Sequence, residues 1–143
     1  MNLLIVNGYD KLGWSKLAKH KIQPICEFYR DQLKKINTKV KTTFMYPSMD
    51  LKSTFDDSFF HSFDGMIWTG SSLNIYDNTN EIKNQISLMK KVSKLPIKMF
   101  GSCWGMQLYT VCNGGVVSKN IKGREIGISF NIQLICLFLY ENK

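Results

Sequence analysis

Cys103 is the residue best placed to do chemistry. It stands in Phe100-Gly101-Ser102-Cys103-Trp104-Gly105-Met106-Gln107, with a glycine two residues before it and another two residues after. The apolar run from Ile97 to Phe100, entered through Pro96, reads as a short buried strand, and Met106, Leu108, Tyr109, Val111 and Cys112 start a helical pattern directly behind it. A cysteine is thereby fixed at a sharp strand-to-helix turn, the thiol counterpart of the Gly-x-Ser-x-Gly nucleophile elbow. Such a turn holds its central residue in a strained backbone and needs small neighbours where strand and helix come close. The start of a helix also carries partial positive charge, which favours the thiolate, the species that attacks. A buried structural cysteine is the ordinary alternative; the flanking glycines and the strand-to-helix setting favour the nucleophile.

The elements that must position this turn can be read from hydrophobic patterning. Leu3 to Val6 is an unbroken apolar run ending in Asn7-Gly8, as expected of a strand buried on both faces of a parallel sheet. A loop through Tyr9, Asp10 and Gly13 is expected next. A helix from near Pro24 then carries Ile25, Phe28, Tyr29, Leu33 and Ile36 at helical spacing. Val40 to Tyr46 alternates as a second strand, stopped by Pro47. Between Ser48 and Phe63 a loop and a short helix are expected to cover the sheet. Gly65 to Gly70 is a third buried strand running into a glycine turn, followed by a polar loop of Ser71, Ser72, Asn74, Asp77 and Asn78. Asn80 to Lys94 is an amphipathic helix with Ile82, Ile86, Met89 and Val92 on its inner face. Asn113-Gly114-Gly115 closes the helix behind the elbow, Val116 and Val117 read as a short strand, and a longer strand is expected from Arg124 through Leu134. Alternating strands and helices predict an α/β fold in three layers, a mostly parallel sheet with helices on both faces, with sites at the C-terminal strand ends. Residues 1–143 are expected to form one domain, incomplete at its C-terminal side.

Composition narrows the function classes. A 44% hydrophobic and 21% charged chain is typical of a globular domain. The net charge of +8 comes almost wholly from dispersed lysines, with arginine only at Arg30 and Arg124, so no arginine-rich, aromatic-interleaved nucleic-acid surface is expected. The cysteines Cys26, Cys103, Cys112 and Cys136 are widely spaced without Cys-x-x-Cys or a histidine cluster, which points to neither a metal site nor a disulfide framework. No Gly-x-x-x-x-Gly-Lys-Ser/Thr phosphate loop occurs, and no cofactor is implied. Neither a signal sequence nor a membrane span is legible, which makes a reducing cytoplasm the expected compartment.

Gly101-Ser102-Cys103-Trp104-Gly105-Met106-Gln107 resembles the nucleophile motif of class I, triad-type glutamine amidotransferases, Gly-x-Cys-x-Gly-x-Gln. Phe63 to Ser71 with Ile75-Tyr76-Asp77 resembles the strand and glycine loop that give the family part of its oxyanion hole, and Gly123-Arg124-Glu125-Ile126-Gly127 resembles the strand after the elbow. The combination looks most like the stand-alone, GMP-synthase-like branch. The resemblance implies a flavodoxin-like fold and a glutaminase half-reaction in which Cys103 attacks the glutamine side-chain amide, releases ammonia and leaves a glutamyl thioester for water. It also implies that the backbone N–H groups of Trp104 and of Gly70 or its neighbour hold the oxyanion, and that Gln107 and Ser71 help bind glutamine. The ammonia would pass to an acceptor on a separate synthetase partner.

In the family a histidine and, two residues later, a glutamate lie well downstream of the cysteine as base and orienter. Gln133 to Lys143 contains no histidine, and the expectation is a C-terminally truncated member with impaired turnover. His61 precedes the third strand and falls at the opposite end of the sheet from Cys103; His20, within Lys19-His20-Lys21, reads as solvent-facing. Two other functions stay open. One is a cysteine hydrolase of γ-glutamyl compounds, opposed mildly by the Tyr76-Asp77 loop and by Trp104, where related hydrolases often carry histidine. The other is a non-catalytic interaction subunit. Cys26, Cys112, Trp68, Trp104 and the Phe55 to Phe63 cluster read as packing, and Asp56 and Asp57 as solvated.

Overall fold

A computed structural model describes residues 1–50 and 55–121 and the backbone of the strand at 137–138. The first apolar run forms β1 (Asn2–Val6). Two helices follow, α1 (Lys11–Lys19) and α2 (Ile25–Ile36), leading to β2 (Lys41–Met45). Then come α3 (Asp57–His61) and β3 (Gly65–Trp68), with a single 3-10 turn at Ile75–Asp77. The chain continues through α4 (Asn80–Val92), β4 (Met99–Gly101) and α5 (Trp104–Cys112), and a short β5 (Leu137–Phe138) closes the order.

The strands line up as β2-β1-β3-β4-β5, with β1 to β4 mutually parallel and β5 antiparallel to β4. This is the flavodoxin-like α/β arrangement expected from the sequence. Because the chain passes from β1 outward to β2 and then returns to the other side as β3, the order reverses between β1 and β3, where α/β sheets open a crevice at their C-terminal ends. Leu4 and Val6 of β1, with Met66 and Trp68 of β3, form one sheet face and pack beneath Phe60, Ile82, Met89, Val92 and Leu108. Burying Ile82, Met89 and Val92 of α4 contributes roughly 1.5–3 kcal/mol each, which fixes that helix to the sheet. On the other face α2 packs against β1, and Ile5 and Cys26 are both fully buried.

The sequence reading departs from the structure in five places. The expected loop after β1 contains α1, which starts because the Asp10 carboxylate caps it by accepting from the Gly13 N–H at 2.7 Å. Its covered positions are Gly13, Trp14 and Leu17, a stripe too short for periodicity to mark the helix. The fourth strand begins at Met99, since Ile97 is engaged in a turn in which its N–H donates to the Leu95 carbonyl. Val116 and Val117 belong to no strand: Val116 is 87% exposed, and the outer edge of β4 is taken by β5. Phe28 and Ile36 keep helical spacing but lie outward on α2, Ile36 at 84% exposure. On α4 the polar Gln85 is fully buried beside Ile82, Met89 and Val92, while Ile86 is only partly covered. Asp56 and Asp57 are exposed, as expected of solvated carboxylates, Asp56 capping α3 and Asp57 pairing with Lys91. The strand expected from Arg124 to Leu134 lies outside the described residues.

Candidate active site

The turn between β4 and α5 has the geometry that the glycine spacing predicts. Cys103 sits at φ 50°, ψ −92°, the position immediately before α5, with its thiol exposed and no side-chain capping bond. This is sparsely populated territory for a residue with a Cβ. Its surroundings hold it there. The Ser102 N–H donates to the Trp68 carbonyl at 3.0 Å, extending the β3–β4 ladder through the turn, and the Gly105 N–H closes the bend onto the Ser102 carbonyl at 3.0 Å. A methyl group on Gly105 would stand 2.8 Å from the Trp68 Cβ, and one on Gly101 2.8 Å from the Gly105 carbonyl carbon. Only hydrogen fits at either point, so the two motif glycines are where strand, turn and helix touch.

Gly70, at the C-terminal end of β3, faces the nucleophile candidate: a Cβ built there would lie 3.9 Å from the Cys103 Cβ, with nothing nearer. The Gly70 carbonyl points the other way. It accepts from the Thr69 hydroxyl at 2.9 Å and lies against Gly8, 2.6 Å from where a Cβ would be. In a trans peptide the C=O and the next N–H are antiparallel, so this anchoring directs the Ser71 N–H away from Gly8. The first turn of α5 leaves the Trp104 N–H without an intrahelical acceptor. Among the described residues the N–H groups of Gly70, Ser71 and Trp104 donate to no protein acceptor. Gly70 and the first residue of α5 thus flank Cys103 beyond the strand ends.

Gln107 lies one turn into α5, its N–H bonded to the Cys103 carbonyl at 3.1 Å and its side chain half-buried. The Ser71 hydroxyl oxygen accepts from the Leu73 N–H at 3.1 Å, a turn that shapes the loop. The histidines are elsewhere. His61 ends α3 ahead of β3, a strand about 13 Å long, at the sheet end opposite Cys103. His20 caps the far end of α1, exposed and about 15 Å along that helix from Asp10.

Three contributors carry no signature in the sequence reading. Tyr9 is the first: burial, and then the charge of the nearby Cys103, push its phenol above the usual tyrosine range. The second is Asn7, fully buried at the end of β1, whose Nδ2 donates to the Tyr9 carbonyl at 2.8 Å and so fixes that loop. The third is Gln85, whose Oε1 accepts from the indole N–H groups of both Trp68 and Trp104. A buried polar residue inside an amphipathic pattern is the one cue that would have singled out Gln85.

A separate cleft of about 390 Å³ lies beyond the end of β2, walled by Phe44, Tyr46, Phe55, Asn84, Leu88 and Lys91, and none of the elbow residues line it. Among the described residues no group of histidine, cysteine and acidic side chains is arranged to hold a metal ion. Nor is any described helix long and apolar enough to cross a membrane.

No protein-family model matches the chain, and no solved structure does. Curated proteins do. Over 122 residues, 82% of this chain and 39% of the relative, it is 32% identical to a gamma-glutamyl-L-1-hydroxyisopropylamide hydrolase of a Pseudomonas species. Over 73 residues, 51% of the chain and 29% of the relative, it is 30% identical to gamma-glutamyl peptidase 4 of Arabidopsis thaliana. Over 63 residues, 44% of the chain and 11% of the relative, it is 38% identical to a glutamine-hydrolyzing GMP synthase of Finegoldia magna. The chain thus spans at most about two fifths of these relatives' own length. By sequence, its relatives are enzymes of the gamma-glutamyl hydrolase and class I glutamine amidotransferase type, at low identity.

Proposed function

We propose that Cys103 is the nucleophile of an enzyme that cleaves γ-glutamyl amides, with glutamine the first substrate to test. One observation carries the reading: an exposed thiol held at φ 50°, ψ −92° directly before a helix and beside Gly70. In this reading the thiolate attacks the side-chain amide carbon, the C–N bond breaks, and nitrogen leaves with a proton as ammonia. Water then cleaves the glutamyl thioester to glutamate and free thiol. The N–H of Trp104 and that of Gly70 or Ser71 would hold the oxyanion, removal of one such donor costing about 10²-fold or more. Gln107 and Ser71 would hold the substrate.

Turnover also needs a base, and His20 and His61 are both poorly placed for it. In this reading the base and its orienting carboxylate belong to the portion of such enzymes that these 143 residues do not match. The chain alone then forms a covalent adduct readily and hydrolyses glutamine slowly or not at all. A synthetase partner taking up ammonia belongs to the amidotransferase version of this function. The names of the Pseudomonas and Arabidopsis relatives favour a second version, in which an amine replaces ammonia as leaving group and the thioester chemistry is the same.

The test is covalent labelling with a chloroketone analogue of glutamine, read by peptide mass spectrometry. Modification of Cys103 ahead of Cys26 and Cys112, slowed by glutamine or a γ-glutamyl amide, is the expected result. Labelling spread evenly over the cysteines, or unaffected by either competitor, would overturn the proposal. Protection by a γ-glutamyl anilide but not by glutamine would select the second version.

A further inference from the structure

The core holds the side chain of Gln85, 0% exposed on the inner face of α4. A carboxamide buried among apolar residues is tolerated only when all its hydrogen-bonding capacity is met, and here it is. Oε1 accepts from Trp68 Nε1 at 3.1 Å and Trp104 Nε1 at 2.8 Å. Nε2 donates to the Gly8 carbonyl at 2.9 Å and to the Ser48 hydroxyl at 2.5 Å. An indole N–H is a donor only, so the oxygen must face the two tryptophans and the nitrogen the other pair.

The four partners come from the ends of β1, β2 and β3 and from the first residue of α5. Trp104 is the residue after the thiol, and its ring also presses on Gly8, its Cδ1 2.8 Å from where a Cβ would stand. From Gly8 the network continues to the other side of the thiol. The Gly8 N–H donates to the Thr69 hydroxyl at 2.9 Å, and that hydroxyl donates to the Gly70 carbonyl at 2.9 Å. One arm thus holds the side chain of the residue carrying one candidate oxyanion donor, and the other sets the Gly70–Ser71 peptide plane.

We infer that Gln85 is a positioning residue that fixes both halves of the oxyanion site, an inference that rests on the proposed nucleophile role of Cys103. It touches neither thiol nor substrate. It acts by keeping Trp104 and the Gly70–Ser71 peptide in register with Cys103, so that the donors need no rearrangement as the oxyanion forms.

The experiment compares two alkylations of Cys103 in the full chain, well below its unfolding temperature. Iodoacetamide reads thiol exposure alone, and the glutamine chloroketone also needs the oxyanion donors. The ratio of the two rate constants should fall about tenfold or more in Gln85→Leu, as expected for a small misplacement of reacting groups. Trp104→Phe cuts only the arm to the elbow and should give the same fall with less structural damage, which covers the case in which Gln85→Leu does not fold. Ser48→Ala removes an arm remote from the thiol, and should lower stability with the ratio unchanged. A ratio equal to wild type in both Gln85→Leu and Trp104→Phe, whatever their stability, would make Gln85 a packing residue and overturn the inference. If the wild-type chain shows no preference for the chloroketone, the nucleophile reading falls and this one with it.

Discussion

Gly105→Ala sets two opposed effects against each other at the elbow. Gly105 lies near the start of α5, and alanine is the better helix former by about 1 kcal/mol in a helix interior. On propensity alone the substitution stabilises. The added methyl, however, would meet the Trp68 Cβ at 2.8 Å and the Trp68 carbonyl oxygen at 3.0 Å, both part of β3 in the middle of the sheet. Neither is the loose end of a flexible side chain, so α5 must shift away from the strand. Overpacking of this kind costs about 1–3 kcal/mol, and the propensity gain is reduced near a helix end. The net expectation is a loss of roughly 1–2 kcal/mol, or about 2–8 °C in Tm for a chain of this size. Urea unfolding followed by circular dichroism measures it. Because the shift displaces Trp104 and Cys103, chloroketone labelling of the thiol should also slow more than iodoacetamide labelling does. A variant as stable as wild type, with unchanged labelling, would refute the claim that close backbone approach is what the motif glycine supplies.

Cys103→Gly should raise stability, because a residue at φ 50°, ψ −92° stores on the order of 1–3 kcal/mol of strain that glycine releases, less its own entropic cost of about 0.5–1 kcal/mol; chemical denaturation of the pair checks the sign. Asp10→Ala removes the side-chain cap of α1 and should cost about 1 kcal/mol, with Asp10→Asn nearly neutral, again read from denaturant midpoints. Alkaline pH should destabilise the fold. Burial, then the neighbouring Cys26, pushes the Tyr46 phenol to about 12 from an ordinary 10.0, and burial also raises the Cys26 thiol. Below the unfolded values the native and unfolded chains hold these protons alike. As pH climbs above them the unfolded chain loses protons that the native chain keeps, and stability falls until the folded values are passed. Midpoints measured between pH 8 and 11 should decline, and Tyr46→Phe should flatten the slope above pH 10; a profile identical to wild type would contradict it.

Legibility followed the range over which each feature is encoded. The elbow was readable because its cause is local: two glycines, one thiol and the change from strand to helix all lie within Phe100 to Gln107. The parallel strands were readable because burial on both faces demands apolar runs such as Leu3 to Val6 and Met66 to Trp68. Helix α1 was missed because one capping carboxylate, rather than a long apolar stripe, starts it. Phe28 and Ile36 share the helical spacing of α2's apolar residues yet stay exposed, because spacing says nothing about whether another element covers that part of the face.

What the amino-acid sequence by itself determined is the chemistry on offer, a thiol on a strained turn at the C-terminal edge of a parallel sheet. What tertiary structure alone decided is the company that thiol keeps. Gly70 comes beside it from another strand, both histidines are carried away from it, and Gln85 reaches partners as far as 77 positions away in the chain. The reason is physical. Backbone propensity and burial act over a few neighbouring residues and leave a trace in their order, whereas a hydrogen bond between distant residues depends on how whole strands and helices pack, and no short stretch records it.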